Sequence, residues 1–210
     1  MARYVIGIDL GTTNSALAYV DTTESSADAP AAVHVFAIPQ VVGLNEVAER
    51  STLPSFLYVA GEKEFPAGSL DLPWRKKADR AVGLFARDQG AKVPGRLIGS
   101  AKSWLCHPGV DRRSPLLPWA TTAELAKVSP VEATAAYLQH LKDAWNAAHA
   151  GKSGEGALEH QEVFLTVPAS FDPIARELTV EAAKLAGLDQ VTLIEEPQAA
   201  FYAWLAARGE

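Results

Sequence analysis

Cysteine is almost missing from this 210-residue chain: Cys106 stands alone, so no internal disulfide can form and no thiolate pair is available for zinc or redox chemistry. Long apolar runs are missing too. None approaches the roughly 18 to 20 residues that cross a bilayer, so no membrane partner is expected. The apolar start Tyr4-Val5-Ile6-Gly7-Ile8 is broken by Asp9 too early to act as a signal peptide, and a reducing cytoplasm is the expected compartment. The histidines, at 34, 107, 140, 149 and 160, show no i, i+4 pairing and no cysteine company, which leaves metal ligation by them unsupported. Gly151-Lys152-Ser153 has the ending of a P-loop, but Asn146 stands where that motif needs glycine, so the segment reads as a linker. Aromatic residues are not interleaved with basic ones, and nucleic acid is not an expected partner.

What is present is enough apolar residue for a core, 48% of the chain, with a mean hydropathy near zero. The formal charge of -6 is uneven: residues 71–113 hold ten Lys and Arg against four Asp, leaving -12 elsewhere. That basic stretch is read as a solvated surface with some capacity for anions.

Patterning predicts a strand over 4–9 and another over 15–20, joined by a short polar turn, then a loop over 21–32 and strands over 33–38 and 54–59. Residues 61–128 read as an irregular subdomain with helical pieces at 79–89 and 100–106. Ser129-Pro130 with Glu132 carries the N-cap, first-turn proline and capping-box acid of a helix that ends near Gly151. A strand over 163–167, a helix over 173–186, a strand over 191–194 and a helix from Pro197 complete a βαβα alternation. The fold class is α/β.

The first turn carries the chemistry. Asp9-Leu10-Gly11-Thr12-Thr13-Asn14-Ser15 offers consecutive backbone N–H groups and hydroxyls at a hairpin tip, which suits a polyphosphate, and Gly11 admits close backbone approach. Asp9 beside phosphates would act through Mg²⁺, held through water. A plain polar turn has the same composition. Glu195 and Glu196, before Pro197, read most simply as acids at a helix N-terminus.

Residues 6–15, Ile-Gly-Ile-Asp-Leu-Gly-Thr-Thr-Asn-Ser, resemble the first phosphate motif of the heat-shock protein 70 chaperones. Leu165-Thr-Val-Pro-Ala-Ser-Phe-Asp172 with Arg176, and Ile194-Glu-Glu-Pro-Gln-Ala-Ala200, resemble two further segments of that family in the same order. Residues 61–128 resemble it least. The resemblance implies an actin-like ATPase (ribonuclease H-like) mixed sheet with flanking helices plus an inserted α+β subdomain: 1–39 and 124–210 as the core of a first lobe, 40–123 as the insertion. It implies ATP/ADP and Mg as cofactors, with Gly11, Thr12, Thr13 and Asn14 on the phosphates. Asp9 would hold the metal and Glu196 would sit near the attacking water. Pro168 and Arg176 match an allosteric relay toward a peptide-binding domain, although from the sequence alone they are a strand end and a surface charge.

The family's catalytic lysine in Val-Gly-x-x-Ala-Lys is replaced here by Arg87, in Val82-Gly83-Leu84-Phe85-Ala86-Arg87. Arginine and lysine are not interchangeable at a reacting phosphate. Arg87 is therefore carried as the catalytic cation, with Lys102 as a substitute. By resemblance the partners are unfolded client peptides and co-chaperones. The family's Asp-x-Gly-Gly-Gly-Thr motif, adenosine segment and peptide-binding domain do not occur among these residues, so half an ATP cleft with little turnover of its own is expected. A non-hydrolysing nucleotide sensor, or a small-molecule kinase or filament protein of the same fold, is the alternative.

Overall fold

A computed structural model describes residues 2–24, 32–119, 121 and 125–208. Strand β1 (Tyr4–Leu10) turns into β2 (Asn14–Asp21), and β3 (His34–Val35) follows. A two-stranded ribbon of β4 (Ile38–Gly43) and β5 (Glu46–Arg50) leads to the short β6 (Leu53–Pro54). Next come β7 (Phe56–Val59), β8 (Arg80–Val82), α1 (Leu84–Gly90), β9 (Leu97–Gly99) and α2 (Ala101–Trp104). The chain then alternates through α3 (Pro130–His149), β10 (Glu162–Val167), α4 (Pro173–Leu185), β11 (Thr192–Glu195) and α5 (Glu196–Arg208).

The principal sheet is mixed, in the order β11-β10-β1-β2-β3, with β6 paired to β2. Strands β1, β10 and β11 run parallel, and β2 returns antiparallel to β1. Burial alternates along β1: Tyr4, Ile6, Ile8 and Leu10 are buried while Gly7 and Asp9 are exposed. Strand β10 repeats the period, with Val163, Leu165 and Val167 buried. A residue period of two sends neighbours to opposite faces. Since Ile8 pairs with Leu165, Asp9 and Thr166 share the face away from the core.

The buried face of the sheet joins α3 and α4 in one cluster that includes Ile6, Ile8, Leu165, Leu138, Leu141, Trp145, Leu178 and Ala182. Helix α3 begins as its sequence predicts. The Glu132 N–H donates to Ser129 Oγ at 3.1 Å, and the Ser129 N–H donates to the Glu132 carboxylate at 2.6 Å. Helix α4 is capped by Asp172, which accepts from the Ala175 N–H at 2.6 Å. A second cluster of Val41, Tyr58, Leu70, Leu72, Ala81, Phe85 and Ala86 lies beneath the sheet β8-β7-β9.

Several predicted elements need correction. The single strand over 33–38 is two, β3 and β4, separated at Phe36–Ala37, and β4 continues to Gly43 to pair with the unpredicted β5. The helix over 79–89 begins instead as β8, because Ala81 and Val82 pair with β7. Gly83, at φ 96, then breaks the strand before α1, and a Cβ there would meet Gln40 Oε1 at 2.5 Å. The loop over 21–32 opens with a 3₁₀ turn, Thr22–Glu24. Its residues 25–31 lie outside the described residues, as does the predicted boundary at 123/124.

His140 ties α3 to the ribbon, its Nε2 lying 2.9 Å from the Pro39 carbonyl, and burial pushes its pKa down to about 4. An unfolded histidine titrates near 6.5, so between those values the unfolded chain binds more protons than the folded one. Stability is therefore fully present above about pH 6.5 and falls as pH drops toward 4, by on the order of 3 kcal/mol for this group. Burial lowers the His149 pKa as well, with the same sign. Urea midpoints measured across pH 4–7 should show the slope, and His140→Gln should flatten it.

Candidate functional site

The tip of the β1–β2 hairpin is held by residues distant in sequence. Leu53 and Pro54 of β6 pair with Ser15 and Asn14. The Ser55 N–H donates to the Thr13 carbonyl at 2.8 Å. Ser55 Oγ donates to the Gly11 carbonyl at 2.7 Å and shares a hydrogen bond with Ser15 Oγ at 3.0 Å. Ser15 and Ser55 are buried, whereas Thr12, Thr13 and Asn14 are exposed. The turn is tight at Gly11: a Cβ there would lie 2.0 Å from the Asn14 carbonyl oxygen, well inside van der Waals contact. The result is a braced turn whose exposed backbone and hydroxyls face outward.

The parallel strands end at this same edge. Asp9 lies one residue beyond the Ile8–Leu165 pair, and its Oδ1 accepts a hydrogen bond from Thr166 Oγ1 at 2.7 Å. Thr166 pairs in turn with Ile194, two residues before Glu196. Glu196 opens α5, and its carboxylate forms an ion pair with the Lys102 ammonium. The Lys102 side chain is only 5% exposed and that of Glu196 is 42% exposed, so the pair is closed on the lysine side and open on the carboxylate side. In open α/β sheets the carboxyl ends of parallel strands are where ligands bind.

The other sequence-predicted residues fall around this edge or away from it. Pro168 directly follows β10, and its carbonyl accepts from the Phe171 N–H at 3.1 Å. Arg176, read from the sequence as a surface charge, instead spans from α4 to the sheet. Its Nη2 donates to Glu195 Oε1 at 2.7 Å and its Nε to the Phe171 carbonyl at 3.2 Å. Arg87 lies on α1 with its side chain 49% exposed, and its ion pair is with the adjacent Asp88 at 2.9 Å. The structure thus joins Lys102 to Glu196, while Arg87 contacts its neighbour. Ser55 and Thr166 escaped the sequence reading because each looked like an ordinary strand residue; their partners are 44 and 157 residues away.

No group of three or more His, Cys, Asp or Glu side chains able to enclose a metal occurs among the described residues. The exposed Asp9 carboxylate, which accepts from Thr166 Oγ1, offers the hard oxygen donors that Mg²⁺ takes.

Comparison with known proteins decides the ancestry. A model of the family described as Hsp70 protein matches residues 73–205. The chain belongs to the Hsp70 family. The Hsp70 match includes residues 73–128, part of the stretch that resembles the family's motifs least. Among Hsp70 relatives, the chaperone protein HscA homolog of Haemophilus influenzae (strain 86-028NP) is 31% identical over 215 residues, covering 96% of this chain and 28% of the relative. Chaperone protein HscA of Enterobacter sp. (strain 638) is 32% identical over 214 residues, with the same coverage. The HscA homolog of Methylococcus capsulatus is 32% identical over 207 residues. The chain therefore spans a little over a quarter of the length of the curated Hsp70 relatives it matches.

Proposed function

We propose that this chain is the first lobe of the nucleotide-binding domain of a chaperone that couples ATP binding and hydrolysis to the binding and release of unfolded peptides, with co-chaperones as further partners. The observation that carries this reading is the braced Gly11–Asn14 turn at the same sheet edge as Asp9, Thr166 and Glu196. The names of the HscA relatives, each a chaperone, support it. The fold would then be the actin-like ATPase fold, with 1–39 and 124–210 as core and 40–123 inserted. No helix among the described residues is long and apolar enough to cross a membrane; a cytoplasmic site of action belongs to the same proposal.

In this reading the turn N–H groups and the Thr12 and Thr13 hydroxyls hold phosphate oxygens, with Asn14 beside them. Asp9 would hold Mg²⁺, and the metal would supply charge neutralisation on the phosphates. Glu196 accepts a proton from the attacking water. Catalysis of phosphoryl transfer consists mainly of such positioning and charge stabilisation. Pro168 and the Arg176–Glu195 pair link the site to α4, a route by which nucleotide state could reach a peptide-binding domain.

The test is Mg-dependent ATP hydrolysis by the full-length protein, stimulated by an unfolded peptide. Asp9→Asn should lower kcat/KM on the order of a hundredfold, as loss of a metal-positioning carboxylate does. Absence of Mg-dependent hydrolysis, or an Asp9→Asn variant at wild-type rate, would overturn the reading. The 210 residues alone are expected to turn over little ATP.

A further inference from the structure

A cavity of about 300 Å³ lies between α3 and residues 72–82 and shares no lining residue with the proposed nucleotide edge. Its floor is apolar, formed by Leu72, Val82, Ala135, Ala136 and Leu185, and the Trp74 ring stands edge-on to His140 at 5.7 Å between centroids. Its two walls carry polar groups that the fold leaves unmatched. On the α3 wall, His140 borders the cavity although it is only 6% exposed. Its Nε2 lies 2.9 Å from the Pro39 carbonyl, which can only accept, so Nε2 carries the proton. With the ring neutral above about pH 4, Nδ1 is left as an acceptor, and no donor among the described residues reaches it. A buried acceptor without a donor is costly, so a ligand that donates to it is favoured.

One turn further along α3, half-buried Asp143 accepts from Gln139 Nε2 at 2.6 Å and has no cation within ion-pair distance among the described residues. Burial raises its pKa, against the smaller pull of that hydrogen bond and of the Lys142 and Arg75 charges. Lys142 turns its ammonium toward Gly187, where a Cβ would lie 2.5 Å from Nζ. The Glu132 carboxylate, at the far end of the wall, accepts from the Ser129 N–H in the helix cap. The opposite wall has a surplus of the other sign: Arg75 and Arg80 share one carboxylate, Asp79, at 3.3 and 3.1 Å. Among the described residues no ion pair crosses the cavity, so an anionic wall faces a cationic one across an apolar floor.

We propose that this cavity binds a small amino-acid-type zwitterion, with its ammonium on Asp143 and His140 Nδ1, its carboxylate on Arg75 and Arg80, and its apolar body over Trp74 and the floor. A primary ammonium has several donors, and the two acceptors stand three residues apart on one helix face, about 5–6 Å at their Cβ atoms. Arg75 bonds Asp79 through Nη2 alone and Arg80 through Nε and Nη2, so both guanidinium groups keep N–H donors for a second carboxylate. Charge rules out the simpler ligands. A diamine would set its second ammonium against the arginines, and a plain anion would meet Asp143. The volume lies at the small end of the range that ligand sites occupy, which suits a free amino acid better than a folded peptide segment.

Calorimetric titration of the full-length protein with L-leucine tests the proposal, beside two probes that each lack one charge. Leucine should bind saturably with a Kd on the order of 1 mM, which so small a ligand can support. 3-Methylbutylamine, without the carboxylate, and 4-methylpentanoate, without the ammonium, should each bind about tenfold more weakly, the factor one charge-assisted hydrogen bond carries. Asp143→Asn should weaken leucine and the amine about tenfold and leave 4-methylpentanoate unchanged, while Arg75→Gln should weaken leucine and the acid and spare the amine. Hydrogen exchange should place leucine protection at residues 72–82 and 132–143. No saturable leucine binding at about twenty times the expected Kd, or wild-type leucine affinity in Asp143→Asn, would overturn the inference. So would protection confined to other segments, or an amine that binds as tightly as leucine. A thermal melt checks that each variant folds; should Asp143→Asn fail, Arg75→Gln on the opposite, more exposed wall still decides.

Discussion

Gly11→Ala should abolish nucleotide binding while leaving the protein folded. The added methyl would sit 2.0 Å from the Asn14 carbonyl oxygen, and the offending atom is backbone, not the far end of a flexible side chain. The turn cannot open cheaply, because Ser55 holds both of its limbs through the carbonyls of Gly11 and Thr13. Relief of the clash must break those bonds or displace Asn14, and either moves the N–H groups to which the proposed function assigns the phosphates. Preorganised donors displaced by about 1 Å lose on the order of a hundredfold in effect, and nucleotide Kd should rise by at least that factor. The stability cost should stay at about 1–3 kcal/mol, typical of local overpacking, since the hairpin tip is exposed and the sheet beneath it is intact. Calorimetric titration with Mg-ADP beside a thermal melt separates the two effects. A variant that melts early and binds normally would contradict the account.

Trp145→Ala should be among the most damaging substitutions for stability. The indole is fully buried near the end of α3, stacked on His149 at 4.0 Å between centroids, with Tyr4, Tyr19 and Phe36 meeting it edge-on at 5.0 to 5.5 Å. Its Nε1–H donates to the Gly156 carbonyl at 2.9 Å, fastening the loop that leads into β10. Truncation removes the aromatic cluster's centre and leaves that carbonyl without its donor. The expected loss is about 3–5 kcal/mol, read as a shift in the urea midpoint. Trp145→Phe, which keeps one six-membered aromatic ring and loses the pyrrole ring with its N–H, should cost roughly half of that. Near-equal losses for the two variants would mean that the pyrrole ring and its N–H, which both variants remove, hold the cluster, and that the remaining six-membered ring adds little.

These expectations differ in how far the sequence alone could reach them. The Asp9–Ser15 turn and the start of α3 were legible because their chemistry is local: a hairpin tip needs Gly and polar residues, and a capping box needs Ser and Glu three apart. Ribbon β4–β5 was not. Its burial does not follow a clean alternation, with Gln40 and Val41 both buried and a bulge between Val41 and Gly43, so no period of two announced it. Residues 79–89 read as helix because Ala81 and Val82 fit either period, and only the partner strand β7 and the positive φ of Gly83 settle the matter. The site was half legible for the same reason. Asp9 and Glu196 stood in motifs, but the groups that hold them, Thr166 and Lys102, lie 157 and 94 residues away and depend on the register of parallel strands and on where α2 lands. Resemblance to family motifs directed attention to Arg87, whose partner in the fold is Asp88.

Hydrogen exchange of the full-length protein with and without Mg-ATP tests the central claim most directly, that the carboxyl edge of β1, β10 and β11 is one nucleotide site. The account predicts new protection at residues 10–15, at 166–168 and at 195–198. Protection confined to another part of the chain, such as the cleft between α3 and residues 72–82, or no change at the hairpin at saturating nucleotide, would contradict it.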